Sequence, residues 1–305
     1  MTLPRIGVFD SGVGGLTVLK AMAEQIPAHY FYFGDTARLP YGTKSADTVA
    51  RYAIGAARFL EAQNIDLLVI ACNTATALAL PLIKEAAHVP VVGVVEPGAA
   101  MAAEVSKQRT AIVIATEATV SSHAYRDALQ QYGIHAYEKA CPLFVPLVEE
   151  GWTDHPVTEQ VAQIYLGDAL AQASSEADVL VLACTHYPLL VPLLRRVVPA
   201  EMEIVDSAES TARVVRKMLS DGATSPGVTL SEAKRENHSV ILSEARSPLT
   251  ATERSRRTPI PAATSSSERR TYRFYVTDSV DKFKRLAARF LGRQVDHVEH
   301  VDLGG

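Results

Sequence analysis

The sequence predicts an α/β fold: two pseudo-symmetric three-layer α/β domains with mostly parallel sheets, and the active site in the cleft between them. Short apolar runs alternate with stretches of helical period along most of the chain, the pattern of strands and helices in turn. Two of those runs, Asp66-Leu-Leu-Val-Ile-Ala and Asp178-Val-Leu-Val-Leu-Ala, are continuous, as in strands buried on both faces of a parallel sheet. Each delivers a cysteine, Cys72 and Cys184, and the offset between them also pairs Val69 with Val181 and Ala71 with Ala183. One cysteine ending an apolar run is ordinarily a small buried hydrophobe. Two in matched contexts, each followed by hydroxyl or amide residues at the carboxyl end of a strand, point to a ligand site.

In chain order, Ile6–Phe9 is a strand that ends in Asp10-Ser11-Gly12-Val-Gly14-Gly15, and Leu16 opens an amphipathic helix. The glycines let backbone approach a small ligand, but the dinucleotide and P-loop fingerprints are not met. Tyr30–Phe33 is the second strand, followed by Asp35-Thr-Ala-Arg-Leu-Pro40-Tyr41-Gly42, turn chemistry that sets an aromatic in a pocket wall. Ser45 caps a helix running to about Gln63. The Cys72 strand leads to a helix over Leu78–Ala87, and Val89–Val95 is a strand ended by a turn at Pro97-Gly98. A helix from Ala99 to about Ser106 and a strand over Thr110–Ala115 follow, with Thr116 in the place that Asp10 holds in the first half. Cys141 has no counterpart and reads as structural. Either Glu149 or Glu150, closing an apolar segment, can reach a cleft; a solvated turn is the alternative. A helix over Glu159–Ala173 feeds the Cys184 strand, and a short strand at Met202–Val205 precedes a helix from Thr211 to Leu219. A Ser279-capped helix follows the strand Tyr272–Val276 and ends at Gly292. Residues 1–97 with 210–305 form the expected first domain and 98–209 the second. A mobile insert is expected over about 221–270, where Ser, Thr, Pro, Arg and Glu dominate.

Composition narrows the function classes. The net charge of −4 gives no clustered basic surface for nucleic acid, so none is expected as a partner. No apolar stretch reaches the length of a membrane span, and no signal peptide is evident, so a cytoplasmic protein is expected. Three cysteines without a Cys-x-x-Cys pair fit a reducing compartment and give no support to a metal site.

Facing domains would bring Cys72 and Cys184 to opposite sides of one bound molecule. Two thiols on opposite faces of a carbon remove a proton from one side and deliver one to the other, which is the chemistry of a racemase or epimerase. The expectation is a thiol near its reference pKa as acid and a modestly depressed one as base. Asp10 and His186 are candidate helpers. Two other classes remain open: a cysteine hydrolase or lyase using Cys184 with His186, and a binding protein whose cysteines are structural.

Phe9-Asp-Ser-Gly-Val-Gly-Gly-Leu-Thr, Asp35-Thr-Ala-Arg-Leu-Pro-Tyr-Gly, Ala71-Cys-Asn-Thr-Ala-Thr and Ala183-Cys-Thr-His-Tyr-Pro-Leu together resemble glutamate racemases of the aspartate/glutamate racemase family. The resemblance covers nearly the whole chain except the insert. It implies a cofactor-independent isomerase, a homodimer that supplies D-glutamate for peptidoglycan. Cys72 and Cys184 would be the proton carriers, Cys72 acting on D-glutamate and Cys184 on the L-enantiomer, with Asp10 and His186 in catalytic support. Substrate binding would fall to Asp10, Ser11, Pro40, Tyr41, Gly42, Asn73, Thr74, Thr116, Thr119, Thr185 and His186, with Glu149 or Glu150 assisting. Ala115 stands where the family pattern has glycine. These residue types suit a dianion bearing an ammonium, because amides and hydroxyls donate to its carboxylates without a metal or an imine-forming lysine.

Overall fold

The computed structural model describes residues 2–173, 176–221 and 270–303, so nearly all of the expected insert lies outside the described residues. Every strand pairing among them is parallel. One sheet runs β10 (Glu299–His300), β9 (Tyr272–Val276), β2 (His29–Gly34), β1 (Arg5–Asp10), β3 (Leu67–Ile70), β4 (Val91–Gly93). The other runs β6 (His135–Ala140), β5 (Thr110–Ala115), β7 (Val179–Ala183), β8 (Glu203–Asp206). The second sheet repeats the order of the last four strands of the first, with β5 in the place of β1 and β7 in the place of β3. The internal echo in the sequence is therefore an echo in topology.

Burial explains the apolar runs. All four residues of β3 and all five of β7 are buried, because helices cover both faces of each sheet. On the first sheet, Phe9, Phe33 and Ile70 pack under Ala53 and Leu60 of α2 (Ala46–Glu61). On the second, Val113 and Val181 pack against Ala99 of α4 (Val95–Val105) and Leu129 of α6 (Ala124–Gln131). The opposite faces share one core: Ile6 and Val8 of β1, Ile112 of β5 and Leu180 of β7 belong to a single cluster with Ala212 and Val215 of α10 (Ser207–Ser220). Helix α10 packs on both α1 (Leu16–Gln25) and α4, so it joins the two sheets. At about 1.5–3 kcal/mol for each large apolar side chain fully buried, this shared cluster fixes how the halves meet.

Several local expectations are corrected. Helix α3 (Asn73–Ala86) starts directly after Cys72 rather than near Leu78, so Asn73 and Thr74 are helical. Pro97-Gly98 is not a turn but part of the first turns of α4, where a proline's missing N–H has no intrahelical partner to lose. Helix α10 begins at Ser207, earlier than Thr211, because Asp206 accepts from the N–H groups of Ala208 and Glu209. Ser279 does not cap α11 (Val280–Leu291) with its side chain; its φ is 53° and no side-chain bond forms. Gly292 does end that helix, at φ 72°. Ser45 caps α2 as expected, accepting from Thr48 N. Strand β6, helix α6 and edge strand β10 were not expected.

Gly34 makes a testable point about how the first loop is held. A Cβ there would overlap the carbonyl oxygen of Gly12, which also accepts the Tyr32 hydroxyl at 2.9 Å. Backbone cannot yield as a side-chain tip can. Gly34→Ala is expected to destabilise the protein by about 1–3 kcal/mol, the range for overpacking. Its thermal unfolding midpoint should fall by several degrees; an unchanged midpoint would show that the Asp10–Gly15 loop is not clamped in this way.

Candidate active site

The loops at the carboxyl ends of β1, β3, β5 and β7 converge, as expected for ligand sites in open α/β sheets. Cys72 is the N-cap of α3: its sulfur accepts from Ala75 N at 3.4 Å and donates to Ser11 Oγ at 3.4 Å. Cys184 lies in a bend after β7, and a 3-10 turn at Tyr187–Leu190 comes next. Both thiols are almost fully buried, 4% and 6% exposed. They are near enough that the charge of Cys72 raises the pKa of Cys184, and the charge of Asp10 raises both.

Burial of the thiols reverses one expectation. Neither pKa is depressed. Loss of hydration, reinforced by Asp10, pushes Cys72 up to about 11 although Ser11 and the Ala75 N–H favour the thiolate. Burial pushes Cys184 higher still, against the N–H groups of His186 and Tyr187. Sequence spacing does not reveal how completely a strand end is desolvated.

Asp10 closes β1. One carboxylate oxygen accepts from Gly12 N at 2.9 Å; the other is buried without a hydrogen-bond partner. Burial raises its pKa, opposed by the N–H of Gly15, the charge of His186, and the N–H groups of Gly12 and Ser11. His186 is buried, with Nε2 3.3 Å from Glu149 Oε1 and its ring edge-on to Phe290. Glu149, at the end of α7 (Phe144–Glu150), is thus the glutamate that reaches the site, while Glu150 is exposed. The Glu149 carboxylate also pairs with Lys282 Nζ at 3.0 Å, and its carbonyl accepts from Arg289 at 2.6 Å. Both partners come from α11.

The hydroxyl residues meet across the two halves. Thr74 Oγ1 lies 2.9 Å from Thr116 Oγ1 and 3.2 Å from Thr119 Oγ1, and the latter two are 3.0 Å apart. Asn73 Oδ1 accepts from Tyr125 at 2.6 Å. Thr185 packs on the Gly14 loop: a Cβ at Gly14 would overlap Thr185 Oγ1 and the His186 ring. The Thr185 carbonyl accepts from Thr17 at 3.2 Å. Gly42 likewise faces Thr116, 2.9 Å from Thr116 Cβ to a Cβ built at the glycine.

Two expected binders are placed differently from the rest. Tyr41 is 2% exposed and its hydroxyl donates to Asp35 at 2.5 Å, so it serves as wall rather than donor. Pro40 is exposed. Cys141 lies fully buried in the shared core with burial holding its pKa up at about 12, in keeping with a structural role. Sequence reasoning missed Tyr125, Asp35 and Lys282. Tyr125 and Lys282 lie on amphipathic helices and carry no local mark of their partners. Among the described residues no cluster of His, Cys, Asp or Glu has the arrangement of a metal site, and no helix is long and apolar enough to cross a membrane.

Fold and site together are those of an isomerase of the amino-acid racemase class. The family model described as Asp/Glu/Hydantoin racemase matches residues 6–215, and the chain belongs to that family. It is 58% identical to the glutamate racemase of Koribacter versatilis, over 99% of this chain and 98% of that one. Among solved structures, glutamate racemase of Francisella tularensis in complex with D-glutamate superposes with TM-score 0.78 at 30% identity, covering 99% of each chain. That of Thermus thermophilus in complex with β-chloro-D-alanine gives 0.76 at 38%, covering 98% of this chain and 97% of that one.

The Glu149 cluster yields a pH prediction. Burial acts to raise this carboxyl, but the hydrogen bond and charge of His186, then those of Lys282, prevail and hold its pKa at about 2. A folded-state pKa below the unfolded value of about 4.3 contributes stability above that value, lost as pH falls toward about 2. Glu149→Gln should therefore be less stable than the parent near neutrality, with the gap closing as pH falls through about 4 toward 2. Chemical denaturation at a series of pH values measures it; a gap independent of pH would mean that the carboxylate charge contributes nothing.

Proposed function

We propose that this protein interconverts L- and D-glutamate without a cofactor, with Cys72 and Cys184 as the two proton carriers. One thiolate takes the α-proton, leaving the electron pair on carbon, and the opposite thiol gives its proton to the other face. The observation that carries this reading is the pair of buried thiols on matched strand ends, coupled to one another and to Asp10. A hydrolase using Cys184 with His186 alone would have no use for a second such thiol. At neutral pH, ionising a thiol with pKa about 11 costs about 5 kcal/mol. A substrate ammonium entering beside Asp10 and the thiol supplies a positive charge that offsets this cost. The dry surroundings then make the thiolate a stronger base than it would be in water, as abstraction of a weakly acidic α-proton requires.

Carboxylate binding falls to the donors at the head of α3 and the facing hydroxyls of Thr116, Thr119 and Thr185. Asp10 and the His186–Glu149 pair return protons between solvent and the thiols. Cys72 acts on D-glutamate and Cys184 on the L-enantiomer, as the resemblance implies. D-glutamate for peptidoglycan, a cytoplasmic location, a homodimer, and domains divided at 1–97 with 210–305 and 98–209 belong to the same reading.

In deuterium oxide at early conversion, product glutamate should carry deuterium at the α-carbon while recovered substrate stays protiated, starting from either enantiomer. Proton NMR of both pools reads this. Wash-in to substrate at the rate of product formation would indicate one base instead of two. Cys72→Ala and Cys184→Ala should each abolish racemisation, whereas Cys141→Ala should keep it; a dead Cys141→Ala beside an active Cys72→Ala would overturn the assignment.

A further inference from the structure

Asn73 and Tyr125 meet where the two halves of the chain join. Asn73 opens α3 one residue beyond Cys72 and is 3% exposed. Its Oδ1 is taken by the Tyr125 hydroxyl at 2.6 Å, while its Nδ2 is buried with no hydrogen-bond partner. Buried donors are rarely left in that state unless a function uses them. An amide has nearly the same shape when flipped, so the orientation must follow from hydrogen-bond chemistry. Here the phenol decides it. Tyr125 is fully buried in α6, and its oxygen also takes a hydrogen bond from Ser207, the first residue of α10. With Ser207 as donor, the single phenol proton is left for Asn73, which must present an acceptor. Burial pushes the phenol well above its ordinary pKa, so it retains that proton. Space for this arrangement exists because residue 98 is glycine: a Cβ there would stand 3.2 Å from the Tyr125 oxygen and 3.6 Å from Ser207 Cβ.

We propose that Tyr125 is a positioning residue, which turns the Asn73 amide so that Nδ2 is held for a carboxylate oxygen of the substrate. Ser207, Tyr125 and Asn73 form a chain of donors, from α10 through α6 to the head of α3, that ends on the ligand. The identity of that ligand rests on the glutamate reading above. The role of Tyr125 is indirect, since it acts only through Asn73.

The test is a double-mutant cycle on D-glutamate affinity, measured by calorimetry in the full-length protein silenced by Cys184→Ala. Tyr125→Phe keeps the ring and removes only the hydroxyl, and is expected to weaken binding about ten-fold, the size of one lost hydrogen bond. Asn73→Ala should weaken it at least as much. Adding Tyr125→Phe to Asn73→Ala should cost no more than about two-fold further, because the phenol then has nothing to orient. Losses that multiply, or a Tyr125→Phe protein that binds like the parent, would overturn the proposal. Should Tyr125→Phe fail to fold, Asn73→Asp gives the answer at nearly constant shape. Its second oxygen faces the ligand carboxylate with like charge, so a loss of about a hundred-fold or more is expected, and parent-like affinity would overturn it. Turnover of glutamate by the unsilenced parent is followed in parallel. Coupled binding without turnover would sink the racemase reading and leave the role of Tyr125 standing.

Discussion

Loss of hydration at the ends of β3 and β7 is the constraint on which the site depends. Sheets covered on both faces carry their last residues into the protein, and the cysteines just beyond inherit that burial. A thiolate there has little water to stabilise it, so it forms only where fixed donors or a counter-charge stand ready. The surroundings supply a few such groups: the Ala75 N–H and Ser11 at Cys72, and the N–H groups of His186 and Tyr187 at Cys184. They do not outweigh burial and Asp10. The same burial raises Asp10 and leaves one of its oxygens without a partner, so the cleft carries a shortage of positive charge and of donors. An amino acid, with an ammonium beside its reacting carbon, meets that shortage.

The second requirement is that both halves stay in register, and small residues achieve it. Gly14 brings the first loop against Thr185 and His186, and Gly42 brings the second against Thr116. A side chain at either position would push apart surfaces that hydroxyl contacts draw together, Thr74 with Thr116 and Thr119 above all. At the far side, α11 belongs to the first sheet's half yet reaches Glu149 through Lys282 and Arg289. His186 is therefore steadied from both halves, by a carboxylate that α11 anchors and by the edge of Phe290.

Much of this was legible in the sequence because the signals were strong and local. Continuous apolar runs predicted buried parallel strands, and the repeated run with its cysteine predicted the repeated topology. Strand β6, His-Ala-Tyr-Glu-Lys-Ala, escaped notice because it is a sheet edge with only one well-buried residue, so its sequence lacks the apolar run that marked the central strands. Pro97-Gly98 misled because the same dipeptide suits a turn and the first turns of a helix. At the site, the cysteines, Asp10 and His186 were readable from loop chemistry. Their pKa directions were not, since those depend on helices packed from elsewhere. The choice of Glu149 over Glu150 depends on which side of α7 faces His186, and Tyr125 looks from its sequence like any core tyrosine.

The two thiols are nevertheless not equivalent, and the difference lies in the element that succeeds each strand. Cys72 caps a helix of fourteen residues, Asn73–Ala86, whose N-terminal N–H groups and aligned dipoles favour an anion. Cys184 precedes only the short 3-10 turn at Tyr187–Leu190, too brief to build a comparable dipole. The difference agrees with the order of their pKa values, Cys72 below Cys184. Of the two, an anion therefore rests more readily on Cys72, and the direction of reaction that begins with a Cys72 thiolate starts from the less costly form. The opposite direction first needs Cys72 protonated and Cys184 stripped. Asp10 and the His186–Glu149 pair stand where they can carry those protons, since Asp10 is coupled to both sulfurs and His186 lies two residues beyond Cys184. Symmetry in the fold thus places two bases on one carbon, and asymmetry in the helices decides which of them the resting enzyme ionises first.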